Sequence, residues 1–88
     1  MTDWAVEIVN AAKSDLKKLK QAHLDGRFLQ IVATLKADPY RPTDGFKKLQ
    51  PPSAGRYSRR LNRVHRVVYR IDDERRVVTI YSAWTHDG

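Results

Sequence analysis

The segment 45–71 concentrates the side chains that suit binding and cleavage of a polyanion. It contains eight basic residues and no acidic one, whereas the whole chain carries a formal net charge of +7. The residues outside the segment therefore sum to −1, which is +7 less +8. The eight are Lys47, Lys48, Arg56, Arg59, Arg60, Arg63, Arg66 and Arg70. Charge concentrated in this way is typical of proteins whose partner is a nucleic acid.

Two β-rich runs in this segment, Arg56–Leu61 and Val64–Ile71, predict an antiparallel pair joined at Asn62-Arg63. If those two residues are the whole loop, Arg59 lies opposite Arg66. Like charges directly opposite each other destabilise a sheet, so this arrangement favours an anion, most simply a phosphate, between the two guanidinium groups. The alternative is that the long side chains diverge into solvent.

Histidine is the side chain best suited to transfer protons near neutral pH, and the chain has three: His23, His65 and His86. They lie far apart without the spacing of metal ligands, and the absence of cysteine excludes disulfides and thiolate metal sites. We therefore expect no metal and no other cofactor. His65 falls on the side of its strand assigned to the core, where a buried, hydrogen-bonded role is expected.

The length of 88 residues predicts one domain, residues 1–88, with a single core. No apolar run approaches the length of a membrane span, and the first residues lack the apolar core of a signal peptide. We expect a soluble cytoplasmic protein with no membrane partner.

The elements that must position the basic segment begin with a strand over Trp4–Val9. Asn10 is expected to cap a first helix that stops near Asp25-Gly26, because glycine tolerates the left-handed conformation at helix ends. A second helix is predicted over Phe28–Ala37 from its apolar stripe, with Pro39 beyond its end.

The rest of the chain predicts strands and loops only. We expect an irregular surface connector over Asp38–Gly45, a short extended piece over Phe46–Leu49, and a loop over Gln50–Gly55 whose prolines and glycine bar regular structure. A last strand runs from about Arg76 to Trp84. The order β-α-α-β-β-β indicates an α+β domain, with a helical hairpin on one face of an antiparallel sheet and a basic surface on the other.

Alternation in the strand from Val64 to Ile71 separates two faces. His65, Val67, Tyr69 and Ile71 share the side assigned to the helix-packed core, and Val64, Arg66, Val68 and Arg70 share the other.

These residues resemble the Txe/YoeB branch of the RelE/ParE toxin superfamily. The resemblance lies in four short segments: Lys48-Leu49, Gly55 to Asn62 (GRYSRRLN), His65 to Tyr69 (HRVVY) and Trp84-Thr85-His86. The order of elements agrees over nearly the whole chain. The resemblance implies a RelE/ParE-like fold and a toxin of a type II toxin-antitoxin pair, which cuts messenger RNA in the ribosomal A site. It also implies a co-expressed acidic antitoxin of the YefM/Axe kind. The toxin would form a dimer of its own or a hetero-oligomer with that antitoxin.

The family's catalytic pattern carries over to Arg66, which would stabilise the transition state, and to His86, which would be the general acid. The family's general base is a glutamate two positions before the leucine, and that position is Lys47 here. Clustered like charge around Lys47 favours its neutral form, which can accept a proton. Asp87 is the alternative base, and without a base the enzyme would be slow.

Further residues are candidates for binding the RNA. Phosphate contacts are expected from Arg59, Lys48 and Arg60, and base stacking from Tyr57 and Trp84, although strand aromatics also serve as packing. Two other functions stay open. One is a non-catalytic toxin in the manner of the ParE branch, which binds and inhibits DNA gyrase. The other is a plain RNA-binding module.

Overall fold

The computed structural model describes the backbone of residues 4–86 and the side chains of residues 4–84. It contains two α-helices and five strands, together with one 3-10 turn at Pro52–Ala54 within the loop that was predicted to be irregular. The elements are β1 (Ala5–Ile8), α1 (Asn10–Gln21), α2 (Asp25–Ala37), β2 (Lys47–Lys48), β3 (Arg56–Arg60), β4 (His65–Asp72) and β5 (Val77–His86).

The five strands form one sheet in the order β1-β5-β4-β3-β2, which confirms the predicted α+β class. The sheet is mixed, however, and not wholly antiparallel as predicted. The pairs β2–β3, β3–β4 and β4–β5 are antiparallel, whereas β1 runs parallel to β5. The composition of this segment predicts a strand but does not indicate which strand lies beside it. In the structure that neighbour is β5.

The helices differ from prediction at their junction. Asn10 is the first helical residue, and the cap position is held by Val9, whose side chain makes no capping hydrogen bond. The chain turns at His23, whose φ of 60° supplies the left-handed conformation expected of Gly26. Gly26 instead lies in the first turn of α2, which ends at Ala37 as predicted. Neither helix formed within residues 4–86 is long and apolar enough to cross a membrane.

Both helices pack on one face of the sheet and form the core with it. The helices contribute Ala12, Leu19, Phe28, Ile31 and Leu35, and the sheet contributes Val67, Tyr69, Val78, Ile80 and Ala83. Val67 and Tyr69 are fully buried, which confirms the predicted core side of β4. Arg66, Val68 and Arg70 alternate with them and lie on the opposite face, which we call the open face.

The β3–β4 register differs by one residue from the predicted one. Arg60 lies opposite Arg66, and Arg59 lies opposite Val67. The Leu61 N–H donates to the His65 carbonyl at 2.9 Å, so that three residues lie between this pair, not two. The Asn62 side-chain oxygen holds this longer turn by accepting the backbone N–H groups of Val64 and His65, both at 2.8 Å. This local bonding of an asparagine side chain widens the turn and moves Arg59 to the core side.

A bulge in β5 is bonded to helix α1. The β4–β5 register shifts twice between Arg66 and Tyr69, and within this irregular stretch the Ala83 N–H donates to Asp15 Oδ2 at 3.1 Å. The Asp15 carboxylate thereby satisfies a backbone group that the sheet leaves unpaired.

We expect Asp15→Ala to lower the free energy of unfolding by about 1–3 kcal/mol, because it leaves the Ala83 N–H without its acceptor. Asp15→Asn keeps an oxygen acceptor and should recover most of the loss. Lys18→Ala, which removes only the exposed partner that lies 4.0 Å from Asp15, should change little. Urea denaturation of the three variants measures these differences, and equal losses in Asp15→Ala and Lys18→Ala would contradict the assignment.

Candidate functional site

Arg66 is held in a fixed position on the open face. Its Nε donates to Ser58 Oγ at 2.9 Å, and its Nη2 donates to the Gly45 carbonyl at 2.6 Å. Only 4% of Arg66 and none of Ser58 is exposed. A guanidinium that is fixed in this way loses little conformational freedom when it binds an anion.

The Gly45 carbonyl is positioned by a turn that two left-handed residues form. Asp44 and Gly45 have φ values of 59° and 65°, and the Arg60 N–H donates to the Asp44 carbonyl at 2.6 Å. The Asp44 carboxylate accepts from Arg27 Nη2 at 2.8 Å, which ties the turn to α2. A Cβ at Gly45 would lie 3.3 Å from the Arg60 Cβ, so the turn requires glycine for both its conformation and its space.

Two more cations lie on the open face beside Arg66. Arg60 is its direct partner across the β3–β4 pair, and Lys47 lies opposite Ser58 in the β2–β3 pair. Directly paired residues share a face, so Lys47, Arg60 and Arg66 are on the same side of the sheet. Lys48 is on the other side, where its Nζ lies 5.8 Å from the centroid of the Tyr57 ring.

Arg59 is a structural residue, which contradicts its predicted contact with phosphate. The side chain has no exposed surface. Its Nε donates to the Tyr69 hydroxyl at 2.9 Å, and its two terminal nitrogens donate to backbone carbonyls of the connector. These carbonyls belong to Pro39, Arg41 and Thr43, at 3.0, 2.8 and 2.9 Å. The connector therefore wraps around the guanidinium instead of passing freely over the surface.

The buried charge of Arg59 is compensated from several sides. Asp44 Oδ2 lies 3.8 Å from Nη1, and the Phe46 ring lies over the guanidinium at 4.8 Å. Burial raises the pKa of Tyr69 to about 12, against the opposing effect of Arg59 itself. The Tyr69 hydroxyl is therefore neutral at physiological pH and accepts the Arg59 Nε–H.

Tyr57 is a packing residue, which contradicts its predicted stacking on a base. Phe46 stacks on its ring at 5.5 Å between centroids and Tyr69 at 6.2 Å. The edge contact with Tyr40, at 5.9 Å, completes its surroundings. The half-buried ring is therefore part of an aromatic cluster that packs against the core.

The strand that carries the predicted general acid runs beside Arg66. The β4–β5 register pairs Arg66 with Thr85 and His65 with His86 along the backbone. The side chain of His86 and the whole of Asp87 lie outside the described residues. His65 is 8% exposed and stacks on Trp84 at 3.7 Å, in agreement with a buried His65 and leaving Trp84 half-buried.

Sequence reasoning missed the groups that hold Arg66 in place. Ser58 and Gly45 bind its guanidinium, and Asp44 fixes the turn. The Asp44-Gly45 pair is a turn signal that stands out in the sequence. Ser58 has no comparable signal, because a serine in a strand does not show which side chain it accepts from.

Solved toxin structures share this fold. The structure of the YoeB dimer from Staphylococcus aureus has a TM-score of 0.80 and 24% identity, and the match covers 94% of this chain and 97% of that one. An archaeal RelE-RelB complex from Pyrococcus horikoshii has a TM-score of 0.78 at 26% identity, covering 99% and 98%. The toxin-antitoxin complex RelBE2 from Mycobacterium tuberculosis has a TM-score of 0.65 at 31% identity, covering 94% and 98%.

A family model supplies the sequence counterpart of these matches. No curated protein sequence matches the chain. The model described as "YoeB-like toxin of bacterial type II toxin-antitoxin system" matches residues 11–86, which include helix α1 from its second residue, helix α2 and strands β2 to β5. The family model and the solved structures agree with each other. The chain belongs to the YoeB-like toxins of bacterial type II toxin-antitoxin systems.

Proposed function

We propose that this toxin is a ribosome-dependent endoribonuclease that cleaves messenger RNA in the A site, in the cytoplasm. The observation that carries the proposal is the fixed position of the Arg66 guanidinium on the open face, in the same row as Arg60 and beside Lys47. Three cations on one sheet face suit a substrate whose phosphates must be bound and whose transition state gains negative charge.

The reaction uses the nucleophile that RNA itself carries. A base removes the proton of the 2′-hydroxyl, the 2′-oxygen attacks the adjacent phosphorus, and the bond to the 5′-oxygen breaks as an acid protonates that oxygen. A 2′,3′-cyclic phosphate and a 5′-hydroxyl result. Arg66 would stabilise the charge on the phosphate, His86 would be the acid and Lys47 the base. No metal is assigned a role.

Burial of Arg66 sets a condition on substrate binding. Since 4% of the residue is exposed, a phosphate reaches the guanidinium only when it replaces one of the present partners. Exchange of the neutral Gly45 carbonyl for an ionised phosphate oxygen strengthens the hydrogen bond, because charge-assisted bonds are stronger than those to neutral acceptors.

One exposed residue extends the proposed binding surface. Arg60 lies on the open face beside Arg66 and would bind a phosphate next to the scissile one. Lys48 lies on the other side of the sheet, and Trp84 stacks on the core-side residue His65, so neither is assigned to this surface.

Substitutions at Lys47 test the identity of the base. We expect Lys47→Ala to reduce cleavage by about 10²- to 10⁴-fold if the lysine accepts the proton, which is the usual contribution of acid-base assistance. Lys47→Glu should retain or raise cleavage, because a carboxylate is then present at the same position. Single-turnover cleavage on programmed ribosomes measures both rates. Unchanged cleavage in Lys47→Ala would assign the base to another residue.

Expression in bacteria followed by mapping of messenger RNA 5′ ends tests the function as a whole. Cuts in phase with codons support the proposal, and Arg66→Ala and His86→Ala should remove them. Growth arrest with intact transcripts and blocked DNA supercoiling would favour a gyrase-binding toxin instead. Salt-sensitive ribosome binding without toxicity would indicate a plain RNA-binding module.

We also infer an acidic antitoxin partner, on the evidence of charge. The segment 45–71 carries +8, and solved relatives include toxin-antitoxin complexes such as RelE-RelB. The C-terminal segment of an antitoxin would fold on the toxin and neutralise this surface. The toxin would then exist as a dimer or in a hetero-oligomer with its antitoxin. Co-purification of an acidic protein encoded by the adjacent gene, lost above a threshold of salt, is the expected result.

A further inference from the structure

We propose that Arg56, Arg70 and Tyr81 form a second subsite for single-stranded RNA on the open face, separate from the Arg66 site. The two arginines would bind phosphate and the tyrosine ring would stack on a base. This inference rests on the proposed nuclease function and extends it, since it gives the path of the RNA beyond the scissile phosphate.

The first observation is that two positively charged side chains face each other across strands β3 and β4. Arg56 and Arg70 lie directly opposite each other in the β3–β4 register, and both are exposed. No carboxylate among residues 4–84 forms an ion pair with either one. Two facing cations repel each other and normally destabilise a strand pair, and an anion between them removes that cost.

The second observation is an aromatic ring beside this pair. Tyr81 is 41% exposed, and it is the additional residue of the β5 bulge, because Val68 pairs with Ser82 while Tyr69 pairs with Ile80. The bulge turns Tyr81 out of the core. Arg56, Arg70 and Tyr81 line one open cavity of about 370 Å³ together with Ser53 and Ala54.

The third observation is the position of the subsite relative to the Arg66 site. Arg66 and Arg70 are four residues apart on β4, about 13 Å at the rise of a strand, and both lie on the open face with Val68 between them. A strand of RNA that passes Arg66 along β4 therefore reaches Arg70. The acidic turn Asp72–Glu74 lies beyond Arg70 and lines a neighbouring cavity of about 640 Å³, which Arg70 and Tyr81 also border on their other side. Its charge repels phosphate, so that the basic track ends at Arg70.

The combination of groups favours single-stranded nucleic acid over an acidic peptide. Carboxylates of a peptide would pair with the arginines but offer nothing to the exposed face of Tyr81. A nucleotide offers both a phosphate and a base, and stacking on an aromatic ring beside a positively charged groove is how many proteins bind single strands.

The test measures binding of a short oligouridylate whose 2′-hydroxyls are methylated, so that binding is observed without cleavage. Fluorescence anisotropy over a series of potassium chloride concentrations compares the wild type with Arg56→Gln/Arg70→Gln. We expect the double variant to bind more weakly and to lower the salt slope by about 1.4, or 0.7 for each lost phosphate contact. Lys13→Gln/Lys17→Gln, which removes the same charge from helix α1, should keep the wild-type slope.

Tyrosine variants test the stacking. Tyr81→Ala should weaken binding by about 5- to 150-fold, as loss of a base-aromatic stack does, and Tyr81→Phe should bind as the wild type does. Wild-type affinity and slope in the arginine double variant would overturn the proposal. A second outcome would also overturn it. If the arginine double variant loses binding to a polyglutamate peptide but binds the oligonucleotide as the wild type does, the subsite belongs to an acidic protein.

The test also separates this subsite from the proposed reaction. If the wild-type protein cuts no messenger RNA on the ribosome yet binds the oligonucleotide through these three residues, the nuclease function fails and the subsite stands. If cleavage occurs and depends on Arg66 while the Arg56, Arg70 and Tyr81 variants bind the oligonucleotide normally, the nuclease function stands and the subsite fails.

Discussion

Replacement of Arg66 by alanine is expected to reduce RNA cleavage by about 10²- to 10³-fold, the usual effect of removing one preorganised group that stabilises charge in a transition state. Arg66→Lys should recover little, because an ammonium cannot both donate to Ser58 and reach two phosphate oxygens. Cleavage of a defined messenger RNA on programmed ribosomes, with product ends mapped by primer extension, measures the loss.

Two controls separate chemistry from folding. Lys17→Ala removes one exposed positive charge from helix α1 and should cleave at the wild-type rate. Ser58→Ala removes the acceptor at 2.9 Å but leaves the guanidinium in place, and it should cause a smaller loss than Arg66→Ala. A folded Arg66→Ala protein with full cleavage, verified by circular dichroism and thermal melting, would rule out a role for Arg66 in the reaction.

Among single substitutions in the segment 45–71, Arg59→Ala should be the most destabilising. We expect it to lower the free energy of unfolding by about 3–5 kcal/mol. It removes the Arg59 donor from three connector carbonyls and from the Tyr69 hydroxyl, and it opens a cavity beneath Phe46. The carbonyls of Arg41 and Thr43 keep a backbone donor, at 2.9 and 3.1 Å. Small domains are stable by about 5–15 kcal/mol, so the loss is a large part of the total. Urea denaturation at equilibrium measures it.

The neighbouring arginine provides a matched comparison. Arg60 is exposed, and Arg60→Ala should change the free energy of unfolding by about 0.5 kcal/mol or less. Arg59→Lys keeps the charge but not the planar fork, and it should lose most of the stability that alanine loses. Equal stability of Arg59→Ala and Arg60→Ala would show that the contacts of the connector with Arg59 contribute nothing.

The layout of the fold could be predicted because it depends on periodicity. The apolar stripe of Phe28, Ile31 and Leu35 identifies α2, and alternation of Val67 and Tyr69 with Arg66 and Arg70 identifies the two faces of β4. Both signals repeat along the chain. The neighbour of β1 has no such signal, and that is why its parallel pairing with β5 was not predicted.

The face of the sheet on which Arg66 lies could be predicted, whereas that of Arg59 could not, and the cause is a single turn. One residue more or less in a hairpin connection exchanges the faces of a whole strand. Asn62 accepts two backbone N–H groups in a connection of three residues between Leu61 and His65, one more than predicted, so Arg59 turns inward and Arg60 outward. The sequence shows two adjacent arginines with the same chemistry, and only the register assigns one to the interior.

The place of β5 between β1 and β4 has a consequence for biosynthesis. Among the five strands of the sheet, β1 is synthesised first and pairs with β5, which is synthesised last, so the sheet cannot close until β5 has left the exit tunnel of the ribosome. A truncated translation product that stops before Val77 lacks the strand that joins β1 to the rest. Assembly of the sheet is thereby delayed until β5 has been synthesised.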